Sequence, residues 1–227
     1  MEAKNYFEWG FEKQLNEKYK EAIECYDKTL KLDDKFERAF IQRAFCKFQL
    51  ENYDGALCDC IRAIDLNPND PITYLNAGWA KYSIDANTQD TTYLDKAIEL
   101  SANMAEAYYL RGLILSNKED YNSAIVDFTK SIEHDYLPNV CYYRRAYCYR
   151  YLEKYDNALL DFYKVIELDT DDKYLTAEAY FEIGIIKQLY EQLEEAMRCY
   201  QKAKELSPDM ESINEFLEIC QEALDSK

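Results

Sequence analysis

Small residues recur at a fixed interval along this chain of 227 residues and set up a periodic pattern of small and bulky positions. The first set, spaced by 34 positions until a final step of 38, is Gly10, Ala44, Gly78, Gly112, Ala146 and Gly184. A second small residue follows twelve positions later in five of the six cases, and this set is Ala22, Ala56, Ala124, Ala158 and Ala196, with Asp90 as the exception. Small residues let two antiparallel helices approach closely, so each interval predicts one helix pair.

Each interval can be numbered from 1 to 34, with the first small residue at position 8 and the second at position 20. The repeats are then 3–36, 37–70, 71–104, 105–138, 139–172 and 177–210. Position 24 is bulky in five repeats, as Tyr26, Leu94, Phe128, Phe162 and Tyr200, whereas the second repeat has Cys60 there. The pattern resembles that of the tetratricopeptide repeat family over residues 3–210. This resemblance implies an all-α fold, a right-handed superhelical α-solenoid of antiparallel helix pairs.

Two places depart from the period. In the third repeat Asp90 stands where a small apolar residue belongs, and Thr91 and Thr92 follow it. Because aspartate favours helix N-termini over interiors, the second helix of this repeat is predicted to start late and to be short, with Asp90 as its N-cap. Residues 173–176 are extra, and four residues are close to one helical turn. The first helix of the sixth repeat is therefore predicted to begin a turn early.

The last segment, residues 211–225, lacks the repeat pattern and is predicted to form a capping helix on the second helix of the sixth repeat. Its apolar face carries Ile213, Phe216, Leu217, Cys220 and Leu224. The whole chain, residues 1–227, is therefore interpreted as a single array.

Charges at positions 7 and 23 occur together. The arginines at position 7 are Arg43, Arg111 and Arg145, and the aspartates at position 23 of the same repeats are Asp59, Asp127 and Asp161. The other three repeats carry neither charge. Because burying an arginine without a carboxylate costs several kcal/mol, structural ion pairs are predicted within these repeats rather than an anion-binding site.

Composition narrows the class of function. A formal net charge of −17 repels nucleic acid and anionic lipid at long range, although an acidic surface also keeps a solenoid soluble. No stretch approaches the roughly 20 apolar residues of a membrane span. The eight cysteines are dispersed and no secretory leader is recognisable, which predicts a cytoplasmic protein. We therefore expect neither a nucleic-acid partner nor a membrane partner.

No pattern indicates catalysis or cofactor binding. Cys58 and Cys60 would diverge by about 200° on a helix, so they do not form the usual zinc-binding pair. His134 has no Cys or Ser partner in a catalytic signature, and no glycine-rich phosphate loop is present. The expectation is a non-enzymatic protein with no cofactor and no metal.

The family resemblance implies that positions 2, 5, 9, 12 and 13 of the first helices line a concave peptide-binding groove. The residues predicted to form it are Phe45, Phe48, Trp79, Tyr82, Tyr109, Tyr143, Tyr147, Arg150 and Tyr151. Aromatic residues with polar tips bury area at low entropic cost, while the alternative for positions 5 and 9 is packing against the neighbouring first helix. The predicted partner is an apolar or aromatic protein segment with basic flanks. Its identity and the oligomeric state of the chain stay open.

The same resemblance provides a test for chaperone tails. Members that bind Hsp70 or Hsp90 hold a C-terminal carboxylate with Lys and Asn at positions 5 and 9, Asn at position 6 of the next repeat, and Lys and Arg at positions 2 and 6 of the third. Starting from the second repeat, only Asn76 matches among Ile41, Phe45, Asn76, Glu106 and Leu110. Starting from the third repeat, only Arg144 matches among Leu75, Trp79, Leu110, Val140 and Arg144. Hsp70 and Hsp90 tails are therefore not expected as partners.

The sequence favours a non-enzymatic adaptor that binds a partner protein or peptide in an aromatic groove. Two alternatives stay open. One is a scaffold that self-associates, and the other is the regulatory tetratricopeptide-repeat portion of a larger enzyme.

Overall fold

The structure is a computed structural model, and it describes residues 2–168, 173–210 and 212–225. Thirteen α-helices occupy these residues. Their bounds are α1 Ala3–Leu15, α2 Tyr19–Leu32, α3 Glu37–Gln49, α4 Tyr53–Leu66, α5 Pro71–Ile84, α6 Thr92–Leu100, α7 Ala105–Asn117, α8 Tyr121–Glu133, α9 Pro138–Tyr151, α10 Tyr155–Glu167, α11 Lys173–Leu189, α12 Leu193–Leu206 and α13 Ile213–Asp225. The all-α solenoid class predicted from the small-residue period is confirmed.

The contacts divide the chain into two compact units, Met1–Lys118 and Glu119–Lys227. In the first unit α1 packs on α2, α3 on α4 and α5 on α6, and α7 packs on both α5 and α6. In the second unit α8 packs on α9, α9 on α10 and α11 on α12, and α13 closes the series on α12. The single array over residues 1–227 stays a prediction.

The turn inside five repeats is built on the same left-handed residue. Position 15 is Glu17, Glu51, Glu119, Glu153 or Glu191, each with φ between 57° and 63°. After Glu17, Glu51, Glu153 and Glu191 the backbone N–H of the next residue donates to a carbonyl five positions earlier, as from Lys18 to Lys13. This is the Schellman pattern that ends a helix and turns the chain back.

Close approach of the paired helices explains the small residue at position 8. A Cβ atom at Gly10 would lie 2.7 Å from Cε1 of Tyr26, and one at Gly184 would lie 2.5 Å from Cε1 of Tyr200. Both tyrosines are fully buried. Their hydroxyls donate to Gln14 Oε1 at 2.7 Å and to Gln188 Oε1 at 2.9 Å, so the buried polar tips are satisfied.

The expected irregularity of the third repeat is confirmed. Helix α6 has nine residues, whereas the other second helices have 13 or 14. Asp90 was expected to be the N-cap, and this was wrong by one residue, because Thr91 occupies that place. Asp90 Oδ1 accepts instead from the backbone N–H of Thr92 at 2.9 Å, and its carboxylate also pairs with Lys81.

The C-terminal region contains both the early start of α11 and a helix after the sixth repeat, α13 over Ile213–Asp225; residue 211 of the predicted capping segment lies outside the described residues. Helix α11 begins at Lys173 and has 17 residues, so the four extra residues add one turn before the repeat pattern resumes. Helix α13 packs on α12, where Ile213 and Cys220 are fully buried. Phe216 stacks edge-on against Phe181, with ring centroids 5.0 Å apart.

Candidate functional site

Two of the three predicted ion pairs lie within single units, and the structure brings both together. Arg43 Nε and Nη2 donate to the two carboxylate oxygens of Asp59 at 2.8 and 2.6 Å. Arg145 Nε and Nη2 donate to the two oxygens of Asp161 at 2.7 and 2.8 Å. Both aspartates are buried. These two-pronged contacts within one repeat hold the second helix against the first.

The third pair, Arg111 and Asp127, would join the two units and stays a prediction. Within the first unit, Arg111 Nη1 donates to Asp95 Oδ1 at 2.7 Å. Asp95 occupies position 25 of the preceding repeat.

Position 25 of the preceding repeat is a partner that the sequence interpretation missed. Arg43 Nη1 contacts Asp27 Oδ1 at 2.5 Å, and Arg145 Nη1 donates to Thr129 Oγ1 at 2.8 Å. The sequence contains this correlation. The third and sixth repeats lack the arginine at position 7, and the repeats before them have Ile61 and Tyr163 at position 25, which are not hydrogen-bonding partners of that kind. Each of these arginines therefore joins two neighbouring repeats.

The predicted groove residues fall in both units, and each part is described by itself. The unit-1 aromatic surface consists of Phe45 and Phe48 on α3, Trp79 and Tyr82 on α5, and Tyr109 on α7. Trp79 is at its centre, with ring centroids 6.3 Å from Tyr82 and 6.5 Å from Tyr109. Phe45 is 44% exposed, whereas the other four are partly buried.

Glu106 fixes the orientation of Trp79. The indole Nε1–H donates to Glu106 Oε1 at 2.7 Å, and Glu106 stands at position 2 of the next repeat. Within the described part of the chain, this carboxylate has no other hydrogen bond and no ion-pair partner. The unit-1 aromatic surface therefore presents a negative charge beside its central ring.

The unit-2 aromatic surface consists of Tyr143, Tyr147, Arg150 and Tyr151 on α9. Tyr147 donates its hydroxyl proton to Tyr151 Oη at 2.9 Å, with ring centroids 4.6 Å apart. Tyr151 is 47% exposed and stacks on Tyr121. Arg150 lies over both the Tyr147 and Tyr151 rings, with Cζ 5.4 and 4.8 Å from the centroids.

The Tyr143 side chain packs mainly against neighbouring helices and is only partly exposed. Its ring packs edge-on against the buried Phe162, and its hydroxyl donates to Glu178 Oε2 at 3.1 Å. Burial raises the pKa of the Tyr143 hydroxyl, and the negative charges of Glu182 and Glu178 add to that shift. Tyr143, which stands at position 5, therefore fits the alternative in which this position packs against neighbouring helices instead of lining a groove.

Glu182 is a second residue that the sequence interpretation missed. It is 7% exposed, and its Oε2 lies 2.7 Å from Arg150 Nε. Neither of these two atoms has a well-aligned hydrogen bond, so the contact is one of opposite charges. Burial raises the pKa of the Glu182 carboxyl, while the Arg150 charge opposes that shift. The sequence could have indicated this pair, because Arg150 stands at position 12 of the fifth repeat and the acidic Glu182 at position 6 of the sixth.

The buried thiols offer little reactive chemistry. Burial raises the pKa of the thiols of Cys46 and Cys60 to about 12, which leaves almost no nucleophilic thiolate at neutral pH. Across residues 2–168, 173–210 and 212–225, no group of three or more His, Cys, Asp and Glu side chains could hold a metal ion. In the same ranges, no helix is both long and apolar enough to span a membrane.

Comparison with known proteins places this architecture. Tetratricopeptide repeat models match residues 105–135, 140–172 and 177–210, which are the fourth, fifth and sixth repeats. A Dictyostelium discoideum small glutamine-rich tetratricopeptide repeat-containing protein is 35% identical over 91 residues, or 40% of this chain and 27% of that protein. An Arabidopsis thaliana Hsp70-Hsp90 organizing protein 2 is 29% identical over 88 residues, or 39% of this chain and 15% of that protein.

The chain thus spans less than a third of the length of these two relatives. Among solved structures, that of PilW, described as a widely conserved type IV pilus biogenesis factor, matches with a TM-score of 0.72. The match covers 95% of this chain and 98% of PilW at 17% identity, and it bears on the fold alone. The matched repeats, the 34-residue period and the paired helices agree, and the chain is a member of the tetratricopeptide repeat family.

Proposed function

We propose that this protein is a non-enzymatic adaptor that binds a segment of a partner protein on the aromatic surfaces of its first helices. Proteins of this family mediate protein–protein interaction, and the relatives are of that kind. The observation that carries the proposal is the set of aromatic rings that are open to solvent and yet fixed by neighbours. Phe45 and Tyr151 are 44% and 47% exposed, while Trp79 and Tyr147 are held by hydrogen bonds at their polar tips.

Fixed rings favour binding because little side-chain entropy remains to be lost when a partner docks. Exposed aromatic residues also supply large contact areas, and they dominate the energetics of most interfaces. The two surfaces therefore combine the area and the rigidity that an anchoring site needs.

The charge near the unit-1 aromatic surface favours a partner with basic residues, because Glu106 stands beside Trp79. On the unit-2 surface Glu178 stands beside Tyr143, while Arg150 lies over the Tyr147 and Tyr151 rings and pairs with Glu182. The net charge of −17 adds a long-range field that raises the encounter rate with a positive segment. An apolar or aromatic segment with basic flanks fits both features.

We also propose that this protein does not bind the C-terminal tails of Hsp70 and Hsp90. Glu106 places a carboxylate where the resemblance implies a lysine that would bind the terminal carboxylate of such a tail, and like charges there oppose binding. A tail peptide with a free C-terminal carboxylate and its amidated form should both fail to bind in fluorescence polarisation. Tight binding of the free acid alone would contradict the exclusion and align this chain with the Hsp70-Hsp90 organizing relative.

The test compares exposed apolar residues on first and second helices. Peptides are selected from a random display library on the wild-type protein, and affinities are measured for Phe45→Ala, Tyr151→Ala and the control Leu160→Ala. Leu160 lies on the second helix α10 and is 67% exposed. Loss of the ring that anchors a peptide should cost roughly 2 kcal/mol, or about thirty-fold in affinity, while the control stays within two-fold. Equal affinities for all three variants would remove the first-helix surfaces from the proposal.

One observation favours self-association as a second candidate function. Val126 on α8 and Leu160 on α10 are 58% and 67% exposed on second helices of the second unit. If these residues mediate assembly, light scattering will show a concentration-dependent mass that Leu160→Ala lowers. A mass that stays constant with concentration would exclude this candidate.

A further inference from the structure

A cavity of about 380 Å³ opens onto the unit-1 aromatic surface. The rings of Phe45, Phe48 and Trp79 line it from two first helices. Its other apolar lining residues are Ala44, Ala56 and Cys60, from the paired helices of the second repeat. Neighbouring repeats normally pack closely, so an open cavity of this size between the second and third repeats needs a cause in the sequence.

The cause is a pair of small side chains, Cys60 at position 24 of the second repeat and Ala77 at position 7 of the third, at two positions that are bulky in every other repeat. The interface between the fifth and sixth repeats buries Phe162, Val165, Ile183 and Ile186 at positions 24, 27, 7 and 10. The interface between the second and third repeats has smaller residues at the same four positions, and these are Cys60, Ala63, Ala77 and Ala80. Positions 8 and 20 are alanine in both the second and the fifth repeats, so the two helices of each repeat meet through the same small residues. The difference lies in the side chains that fill the space next to the following repeat, which are smaller after the second repeat.

The missing ring at position 24 matters most. Phe162 is fully buried and packs against Tyr143, which closes the corresponding space in the fifth repeat. Cys60 provides no ring in the second repeat, and its thiol forms part of the cavity lining instead. No bulky side chain of this chain takes its place within the described residues of the cavity wall.

The polar residues that line the cavity indicate which polar groups a ligand would carry. Glu106 is the only formally charged residue that lines the cavity, and no cation neutralises it within the described residues. The side-chain amide of Asn76 lines the same cavity and has no hydrogen-bond partner among those residues. Gln49 and Ser83 are the other polar lining residues. An apolar cavity with one carboxylate and a few neutral polar groups complements an apolar group attached to a polar chain with a nearby positive charge.

We propose that this cavity is the anchor pocket for one aromatic side chain of a partner segment, and that a lysine or arginine adjacent to that side chain contacts Glu106. The partner then supplies the ring that Phe162 provides within the fifth repeat. The rings of Phe45, Phe48 and Trp79 offer edge and face contacts to such a group. This inference rests on the proposed peptide-binding function and specifies which side chain the first unit selects.

The test fills the cavity from within. Cys60→Phe introduces the residue found at position 24 of the fourth and fifth repeats, and Cys60→Leu introduces the smaller residue of the third repeat. Cys58→Phe is the matched control, because Cys58 lies on the same helix and is exposed. Circular dichroism and thermal melting verify folding, and the leucine variant serves if the phenylalanine variant does not fold.

A random peptide display library is selected on the wild-type protein, Cys60→Phe and Cys58→Phe. The proposal expects an aromatic residue next to Lys or Arg among peptides from the wild type and from Cys58→Phe, and loss of that preference with Cys60→Phe. A synthetic peptide of the enriched sequence should bind Cys60→Phe at least about thirty-fold more weakly, whereas Cys58→Phe should stay within two-fold.

A second variant tests the charge. Glu106→Gln keeps an acceptor for the Trp79 indole but removes the carboxylate charge. We expect it to weaken the basic peptide about five- to ten-fold and to leave unchanged a peptide whose Lys or Arg is replaced by Ala. Equal effects on the two peptides would overturn the predicted contact with Glu106.

The remaining outcomes separate failure of the pocket from failure of the function. If all three proteins select the same peptides with equal affinity, peptide binding holds but the cavity is not its anchor. If no protein enriches any peptide, the proposed function and the pocket both fail. Binding of the neutral dye N-phenyl-1-naphthylamine that Cys60→Phe abolishes, without peptide enrichment, would assign the cavity to a small apolar molecule. A dimer that becomes a monomer in Cys60→Phe would assign it to a second copy of the chain.

Discussion

Removing Asp161 should destabilise the second unit far more than removing a surface charge would. Asp161 accepts two hydrogen bonds from Arg145, and the two side chains are only 8% and 15% exposed. In Asp161→Ala the guanidinium keeps one hydrogen bond among the described residues, from Nη1 to Thr129 Oγ1 at 2.8 Å. A buried charge that loses its partner costs roughly 3–5 kcal/mol, whereas an exposed pair contributes about 0.2–1 kcal/mol.

The chain itself offers the matched control. The sixth repeat has Ile183 and Cys199 at the positions that hold Arg145 and Asp161 in the fifth repeat. The double variant Arg145→Ile/Asp161→Cys therefore transplants a combination that the same fold already accommodates. Replacing a buried ion pair by apolar residues is often neutral, so we expect this variant to stay within about 1 kcal/mol of the wild type.

The measurement is a double-mutant cycle by urea denaturation, followed by circular dichroism. Because helical repeats can unfold in steps, hydrogen exchange of α9 and α10 is measured on the same variants to locate the loss. A cost below about 1 kcal/mol for Asp161→Ala would refute the reasoning. It would mean that solvent reaches Arg145 easily enough to replace the lost carboxylate.

The other predictions concern the third repeat and the thiols. Residues 84–94 should exchange amide hydrogens faster than residues 118–130, because α6 is short, and equal protection would contradict this. Hydrogen bonds from Lys81 and Thr92 hold the pKa of Asp90 well below its usual range, so its contribution to stability is present at neutral pH and is lost as the pH falls below about 4. The stability difference between wild type and Asp90→Asn, about 1 kcal/mol or less because Asp90 is partly exposed, should shrink over that range in urea titrations. Iodoacetamide at pH 8 should modify Cys58 long before Cys60, and mass spectrometry after limited reaction distinguishes them.

The fold was predictable because its rule is steric and local to each repeat. A helix pair with Tyr26 or Tyr200 at position 24 admits only glycine opposite, and that constraint is visible as a period in the sequence. The same rule located the departures, since Asp90 and the residues from Lys173 onward break the period where α6 is short and α11 is long. Only the N-cap of α6 was misplaced, because a side chain one residue earlier can satisfy the same N–H groups.

Contacts between repeats were harder to predict. Comparison of equivalent positions showed that Arg43 and Asp59 occur together, but both positions belong to one repeat. Asp27 and Glu182 contact arginines of neighbouring repeats, and such pairs appear only when one repeat is compared with the next. The aromatic sites have a further limit. Tyr143 and Tyr151 have the same chemistry on one helix, yet the first is largely packed and the second is half-exposed, and burial of that kind depends on the neighbouring helices.

The departures from the repeat pattern differ in whether the chain compensates for them. Asp90 is compensated by Lys81 and Thr92, and the buried Asp161 is compensated by Arg145. The small residue Cys60 is not, because a cavity stays open beside it and unfilled apolar space lowers stability. In a repeat array, where five other units show how position 24 can be filled, an uncompensated departure that opens onto an aromatic surface is better explained by a ligand than by folding. The specificity of this protein is therefore expected to lie in the second and third repeats, where this cavity opens beside Cys60.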